Sequence, residues 1–364
     1  MTHHPGRHLV MGLPGPELGE EERTFLREAR PSGVILFARN LGDMESLEAL
    51  LVAIRQAVDP APLVWIDQEG GRVQRLREPF TRYPTASRLA ALELQVANRG
   101  RRLAQMSGWL CGMELASLGI GVDCAPVLDI REEGADPVIG DRAFGTSPVQ
   151  VVALASAWLD GFGASGLAAV GKHFPGHGAA NADSHKALPV VGRSLQDLER
   201  RELVPFRALA PRLPAIMTAH LVMSAVEPEI PATWSRLWLH DILRKAWHYP
   251  GVIASDALEM GALSGSLAER ARRSLLGGCD MVLSCVGRLE DHARVLEGIG
   301  AALGEMPTEE RTASLGRVDH FNRHHAVPVG DWRALLRHPD YREARQMVEE
   351  AAEERLERDP TVGH

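Results

Sequence analysis

Within fourteen residues the chain places Lys172, His173, His177, Asp183 and His185, a density of ionisable groups that a core helix has no use for. The segment runs Lys-His-Phe-Pro-Gly-His-Gly and then Asp-Ser-His, and Pro175 lacks the N–H that a helix interior needs. The preceding run from Gly166 to Gly171 reads as a short buried strand. The charges therefore stand where a strand ends and a loop opens, the place where strand–helix repeats collect chemistry.

Two chemistries suit such a cluster. One is metal binding, with His173, His177, Asp183 and His185 as ligands. His173 and His177 are four apart, but Phe-Pro-Gly lies between them, so the helical two-histidine geometry fails. The other is metal-free acid–base work, with Asp183 orienting His185 two residues later, since residues i and i+2 share a face in an extended segment. A third reading is a structural loop whose histidines bond carbonyls. This segment alone leaves all three open. A loop rich in Gly and Pro over residues 174–184 is also suited to closing over a ligand.

Positioning these groups takes a sizeable scaffold. The 364 residues can bury one barrel-sized core or two smaller ones. A net charge of −8 argues against a nucleic-acid partner. Residues 1–10 do not read as a secretory leader, and no apolar run is long enough to span a bilayer, so we expect a cytoplasmic protein without a membrane partner. Cys111, Cys124, Cys279 and Cys285 show no CxxC spacing and read as reduced core thiols.

Short apolar strands are expected at His8–Gly12, Gly33–Phe37, Leu63–Ile66, Gly121–Cys124, Ala168–Gly171, Ala215–Thr218, Val252–Ala254 and Met281–Ser284. Helical stretches alternate with them, around Glu20–Ala29, Met44–Val58, Arg88–Leu118, Pro148–Ala164, Leu195–Leu209, Ser235–Trp247, Ala268–Leu276 and Leu289–Leu303. Such repeats imply parallel strands with crossover helices, and their number fits a closed (β/α)8 TIM barrel over residues 1–305. No Gly-x-Gly-x-x-Gly or Walker lysine opens a helix, so a nucleotide-binding fold is disfavoured. Residues 306–364 are expected to form a charged helical extension, packed on the barrel or partly mobile, in which Val348–Arg358 reads as a solvated helix with frayed ends.

The strand ends then line up. In a barrel, one face collects Asp67, Arg75, Asp129, Arg142, Lys172, His173, His185, His220 and Asp256. Asp256 precedes a helix and has the alternative role of an N-cap, Glu69 that of a local partner for Arg72, and Asp129 that of a structural carboxylate. Carboxylates accept from sugar hydroxyls while Lys, Arg and His donate to them, so the shared capacity is to hold a polyhydroxylated ligand.

The segments Asp67-Gln-Glu-Gly-Gly-Arg-Val-Gln-Arg75, Lys172-His-Phe-Pro-Gly-His-Gly178, Asp183-Ser-His185 and Ser255-Asp-Ala-Leu-x-Met260 resemble the signatures of family 3 glycoside hydrolases. The likeness runs from about Gly33 to Leu283. It is closest to the single-domain bacterial β-N-acetylhexosaminidases of peptidoglycan recycling. The resemblance implies Asp256 as nucleophile, His185 as proton donor and acceptor, and Asp183 as its orienting partner. It implies substrate contacts from Asp67, Arg75, Arg142, Lys172 and His173. Many relatives carry a second Asp after the nucleophile, where this chain has Ala257. The implied partner is a small amino-sugar glycoside, a muropeptide, cleaved by a monomer with no cofactor and no metal. The rival readings are a metal-dependent hydrolase built on the histidine cluster and a sugar-binding barrel without catalysis.

Overall fold

The computed structural model describes residues 4–180, 182–184 and 188–354. Eight parallel strands close into a barrel: β1 (Leu9–Gly12), β2 (Gly33–Leu36), β3 (Leu63–Ile66), β4 (Val122–Asp123), β5 (Ala168–Phe174), β6 (Ala215–Thr218), β7 (Val252–Ala257) and β8 (Met281–Ser284). Each pairs with its sequence neighbours, and β1 pairs with β8 to close the ring. The (β/α)8 barrel read from the sequence is the observed fold.

Alternate strand residues fill the inside of the barrel. Val10, Ile35, Trp65, Val122, Val170 and Met217 all belong to one buried inner cluster. The intervening residues face the helices. Both faces are buried, which is why these strands read as apolar runs rather than alternating ones.

The sequence reading needs three adjustments. The expected long helix over Arg88–Leu118 is two, Ala86–Gln95 and Arg99–Leu118, because Asn98 takes a left-handed conformation with φ 69° between them. Leu195–Leu209 likewise divides into Leu195–Arg200 and Leu203–Leu209. The C-terminal extension packs on the barrel where it is described, so the Val348 end of the helix expected to be solvated is docked instead. Helix Thr308–His324 sends Val318 and Phe321 into the inner cluster, with Phe321 against Trp65 at 5.7 Å, closing the barrel floor. Helix Pro339–Glu353 buries Tyr341, Val348 and Ala351. Residues 355–358 of the expected Val348–Arg358 helix lie outside the described residues. Among the described residues, no helix is long and apolar enough to cross a membrane. Cys111, Cys124 and Cys279 are buried free thiols, and Cys285 is half-buried.

Candidate active site

The carboxyl ends of the strands surround a pocket of about 450 Å³. Beyond β3, Asp67 leads into a small hairpin, Gln68–Gly70 with Val73–Gln74, whose tip needs φ values of 100° at Gly70 and 56° at Gly71 that only glycine adopts freely. The buried Asp123 on β4 fixes the hairpin base by accepting from Gln68 N at 2.9 Å. The hairpin thereby presents Asp67, Glu69 and Arg75 to the pocket.

These side chains meet two cations from elsewhere. Lys172 Nζ lies 2.8 Å from Asp67 and 2.7 Å from Glu69. Arg142 grips Glu69 with two parallel bonds of 2.8 Å, and Arg75 reaches Asp67 at 3.3 Å. Burial would raise the Glu69 pKa, but Lys172 and Arg142 hold it far below the ordinary range. Burial likewise acts to lower Lys172, yet Asp67 and Glu69 hold it well above its usual value. Glu69, Lys172 and Arg142 thus stay charged. A buried ionic lattice is a poor way to add stability, because desolvation offsets most of its attraction. It is a good way to hold fixed donors and acceptors for hydroxyl groups. The sequence reading paired Glu69 with Arg72; instead Arg72 bonds Asp141 at 2.8 Å, and the partners of Glu69 come from two other strand-end segments.

Lys172 and His173 belong to the end of β5, where the pairing register with β6 slips between Gly171 and Phe174. His173 Nδ1 donates to Asp129 Oδ2 at 2.6 Å, which leaves Nε2 toward the pocket, 3.4 Å from Arg142 Nη2. Asp129 also accepts from His177 N at 2.6 Å. It is fully buried and positions both histidines, in keeping with its structural reading. His177 bonds Ser184 at 3.0 Å, and Ser184 lines the pocket.

Asp256 stands at the end of β7, also at a register slip, between Ala254 and Ala257. Such bulges re-aim a side chain beside a site. Here the Ser255 hydroxyl compensates for the broken ladder by accepting from Leu283 N at 3.2 Å. Asp256 Oδ1 accepts from Ala257 N at 2.7 Å. Burial pushes the Asp256 pKa up, but His173, His220, the Ala257 N–H and Lys172 together bring it below the ordinary value, so the carboxylate is ionised at neutral pH. Asp256 is no helix cap: the next helix, Leu267–Gly277, is capped by Ser266.

Asp67, Arg75, Arg142, Lys172, His173 and Asp256 thus line one pocket. His220, expected at the mouth, instead lies fully buried beneath it, bonded to Thr233 Oγ1 at 2.7 Å and to Ala257 O at 3.1 Å. Its role there is to support the Asp256 turn, and burial lowers its pKa. Asp183 is half-buried next to Ser184, which lines the pocket. His185 lies outside the described residues. The sequence reading passed over Glu259, which lines the pocket and accepts from Ser284 Oγ at 2.7 Å. Its position three residues after Asp256 in the same segment was the available signal.

Residues 8–320 match the glycosyl hydrolase family 3 N-terminal domain. The chain belongs to glycosyl hydrolase family 3. This family 3 chain is 44% identical over 344 residues to a beta-hexosaminidase of Alkalilimnicola ehrlichii, an alignment covering 93% of this chain and 95% of the relative. NagZ from Neisseria gonorrhoeae superposes with a TM-score of 0.84 at 34% identity, over 97% of this chain and all of its own, both native and in complex with N-trifluoroacetyl-D-glucosamine. A family 3 β-N-acetylglucosaminidase from a Paenibacillus species reaches a TM-score of 0.87 at 33% identity, over 97% of this chain and 69% of its own. The chain is therefore a glycosidase of the β-hexosaminidase kind, a hydrolase of small glycosides.

Proposed function

We propose that the chain is a retaining exo-β-N-acetylglucosaminidase. Its substrate is a cytoplasmic muropeptide in which N-acetylglucosamine is β-linked to 1,6-anhydro-N-acetylmuramic acid, and its role is peptidoglycan recycling. The observation that carries this reading is Asp256, an ionised carboxylate lining a pocket whose wall is a lattice of charged hydroxyl-binding groups. The beta-hexosaminidase relatives, and the N-acylated glucosamine bound by the neisserial protein, support the sugar assignment.

In this mechanism Asp67 and Glu69 accept from sugar hydroxyls while Arg75, Arg142 and Lys172 donate to them, and His173 presents Nε2 to the same sugar. The Asp256 carboxylate attacks the anomeric carbon as the glycosidic C–O bond breaks, and the departing oxygen takes a proton from the His185 imidazolium. Neutral His185 then removes a proton from water, whose oxygen displaces Asp256 and restores both groups. Two displacements at one carbon retain its configuration. Most glycosidases use a second carboxyl group as the acid. A histidine suits the task because its unperturbed pKa of about 6.5 lies near neutrality, and a carboxylate beside it, Asp183, favours the form that donates. The assignments of His185 and Asp183 rest on the family resemblance.

The test is p-nitrophenol release from the β-N-acetylglucosaminide and the β-glucoside, with and without EDTA, together with NMR of the first-formed anomer. We expect strong preference for the N-acetyl sugar, indifference to EDTA and an initial β-anomer. An initial α-anomer would refute the double displacement. Activity lost to EDTA and restored by zinc would favour the metal reading of the histidine cluster.

A further inference from the structure

Helix Pro339–Glu353 lies beyond the residues that match the family domain, yet it is tied to the hairpin that lines the sugar pocket. The connection runs through buried polar groups. Tyr341 is fully buried, and its hydroxyl donates to Glu114 Oε1 at 2.7 Å. Glu114, also fully buried, accepts at the same oxygen from Thr81 N at 2.9 Å, and at the other from Tyr83 Oη at 2.7 Å. One carboxylate thus joins the C-terminal helix to the segment that follows the hairpin.

That segment is bound to the hairpin in turn. Gln74 Nε2 donates to Leu76 O and Thr81 O, both at 2.7 Å, while its Oε1 accepts from Tyr83 N at 3.0 Å. Gln68 Oε1 accepts from Arg75 N at 2.9 Å and Leu76 N at 3.0 Å. Gln68 adjoins Asp67 and Glu69, and Gln74 adjoins Arg75. The helix adds contacts along the same segment. Arg345 donates to Pro79 O at 2.6 Å, Arg82 N to Glu349 at 3.0 Å, and Arg88 Nε to Ala351 O at 2.8 Å.

Ordinary packing would not need this. A helix docked only for stability can bury its apolar face, as Val348 and Ala351 do. Burying a carboxylate is costly, and burial pushes the Glu114 pKa up to about 7. What the carboxylate provides is direction, because its three donors reach it from two separate segments and each must be in register.

We infer that the C-terminal helix is a positioning element for the sugar pocket, with Tyr341 and Glu114 acting through Gln74 and Gln68 to set Asp67, Glu69 and Arg75. None of the four lines the pocket. The inference rests on the proposed sugar-binding role of those three pocket residues.

The experiment uses the full chain with Tyr341→Phe, which keeps the ring and removes one hydroxyl. The readouts are KM and kcat on the nitrophenyl N-acetylglucosaminide and the inhibition constant of free N-acetylglucosamine. Phe321→Leu, on the barrel floor away from the hairpin, serves as a destabilised control. We expect Tyr341→Phe to raise KM and the inhibition constant together by roughly three- to ten-fold, the worth of one hydrogen bond, with kcat within about two-fold. The control should lower Tm while leaving both binding readouts in place. Arg345→Met, which breaks the Pro79 contact at the edge of the same segment, should move them the same way to a smaller extent, and keeps the test decisive even if Tyr341→Phe does not fold. A lower Tm with unchanged KM and inhibition constant would overturn the inference. Absence of wild-type turnover on the N-acetylglucosaminide would instead refute the proposed function.

Discussion

The two ends of the barrel use the same residue type to opposite effect. At the floor, Asp280 precedes β8 and is fully buried. It accepts from Ile253 N at 3.0 Å, Ser314 Oγ at 2.7 Å and Arg317 at 2.8 Å, and it pairs with Arg244. Phe321, on the same helix that supplies Ser314 and Arg317, packs against Trp65. At the mouth, Asp256 ends β7 with a single backbone N–H donor among the described residues and the pocket before it. Burial pushes both carboxyls up, and their neighbours, Arg244 and Arg317 for Asp280, His173 and His220 with the Ala257 N–H and Lys172 for Asp256, bring both below the ordinary value. The difference is satisfaction. Asp280 commits its lone pairs to the fold, whereas Asp256 keeps lone pairs for a ligand. A buried carboxylate is structural when its partners surround it and reactive when a cavity replaces some of them.

The largest effects should come from neutralising each carboxylate in turn. Asp256→Asn should lower kcat roughly 10⁴- to 10⁶-fold, as loss of a nucleophile does, with stability kept. Asp280→Asn should do the reverse. It strands Arg244 and Arg317 in the interior, so unfolding by denaturant should show a loss of about 3–5 kcal/mol, with kcat at 25 °C near wild type. If Asp280→Asn abolished turnover without lowering stability, the contrast between the two ends would fail.

Next in size is His185→Ala. General-acid help is worth about 10²- to 10⁴-fold when the leaving oxygen needs a proton. The disaccharide should suffer that loss and an activated nitrophenyl glycoside much less. Equal losses on both would make His185 a binding residue.

A smaller effect sharpens the comparison through pH. The folded-state pKa of Asp280 is depressed, so its stabilisation is present above the unfolded value of about 3.9 and fades as pH falls through the folded pKa. Asp280→Asn should therefore flatten the acid limb of the Tm–pH curve. Glu114 behaves oppositely. Its pKa is raised to about 7, so the folded state binds the extra proton and stability falls as pH rises from the unfolded value of about 4.3 through 7. Glu114→Gln should remove that slope, and an unchanged slope would show that Glu114 is not the titrating group.

Much of this was legible in the sequence, for physical reasons. Parallel strands buried on both faces read as apolar runs, so all eight were legible, and Asp67, Lys172, His173 and Asp256 just past them line the pocket while His220 lies beneath it. The segment ending at Lys172-His173 and that around Asp256 carried their chemistry in short motifs. What escaped notice depends on long-range pairing. Glu69 finds Arg142 73 residues away, and Glu114 finds Tyr341 227 residues away, so local spacing points to the wrong partner or to none. Helix Thr308–His324 sends few apolar residues inward, so its role as the barrel floor was hidden among its charges. Asn98 breaks a helix with no Gly or Pro at the break itself, where propensity gives little warning.

The central claim is that Asp256 forms the glycosyl bond, and trapping the intermediate tests it most directly. A 5-fluoro N-acetylglucosaminyl fluoride should inactivate the enzyme with time. Peptide mass spectrometry should then place one sugar on Asp256, and Asp256→Asn should remain unlabelled. A label on Glu69, Asp129, Asp183 or Glu259, or turnover without any covalent adduct, would contradict the account.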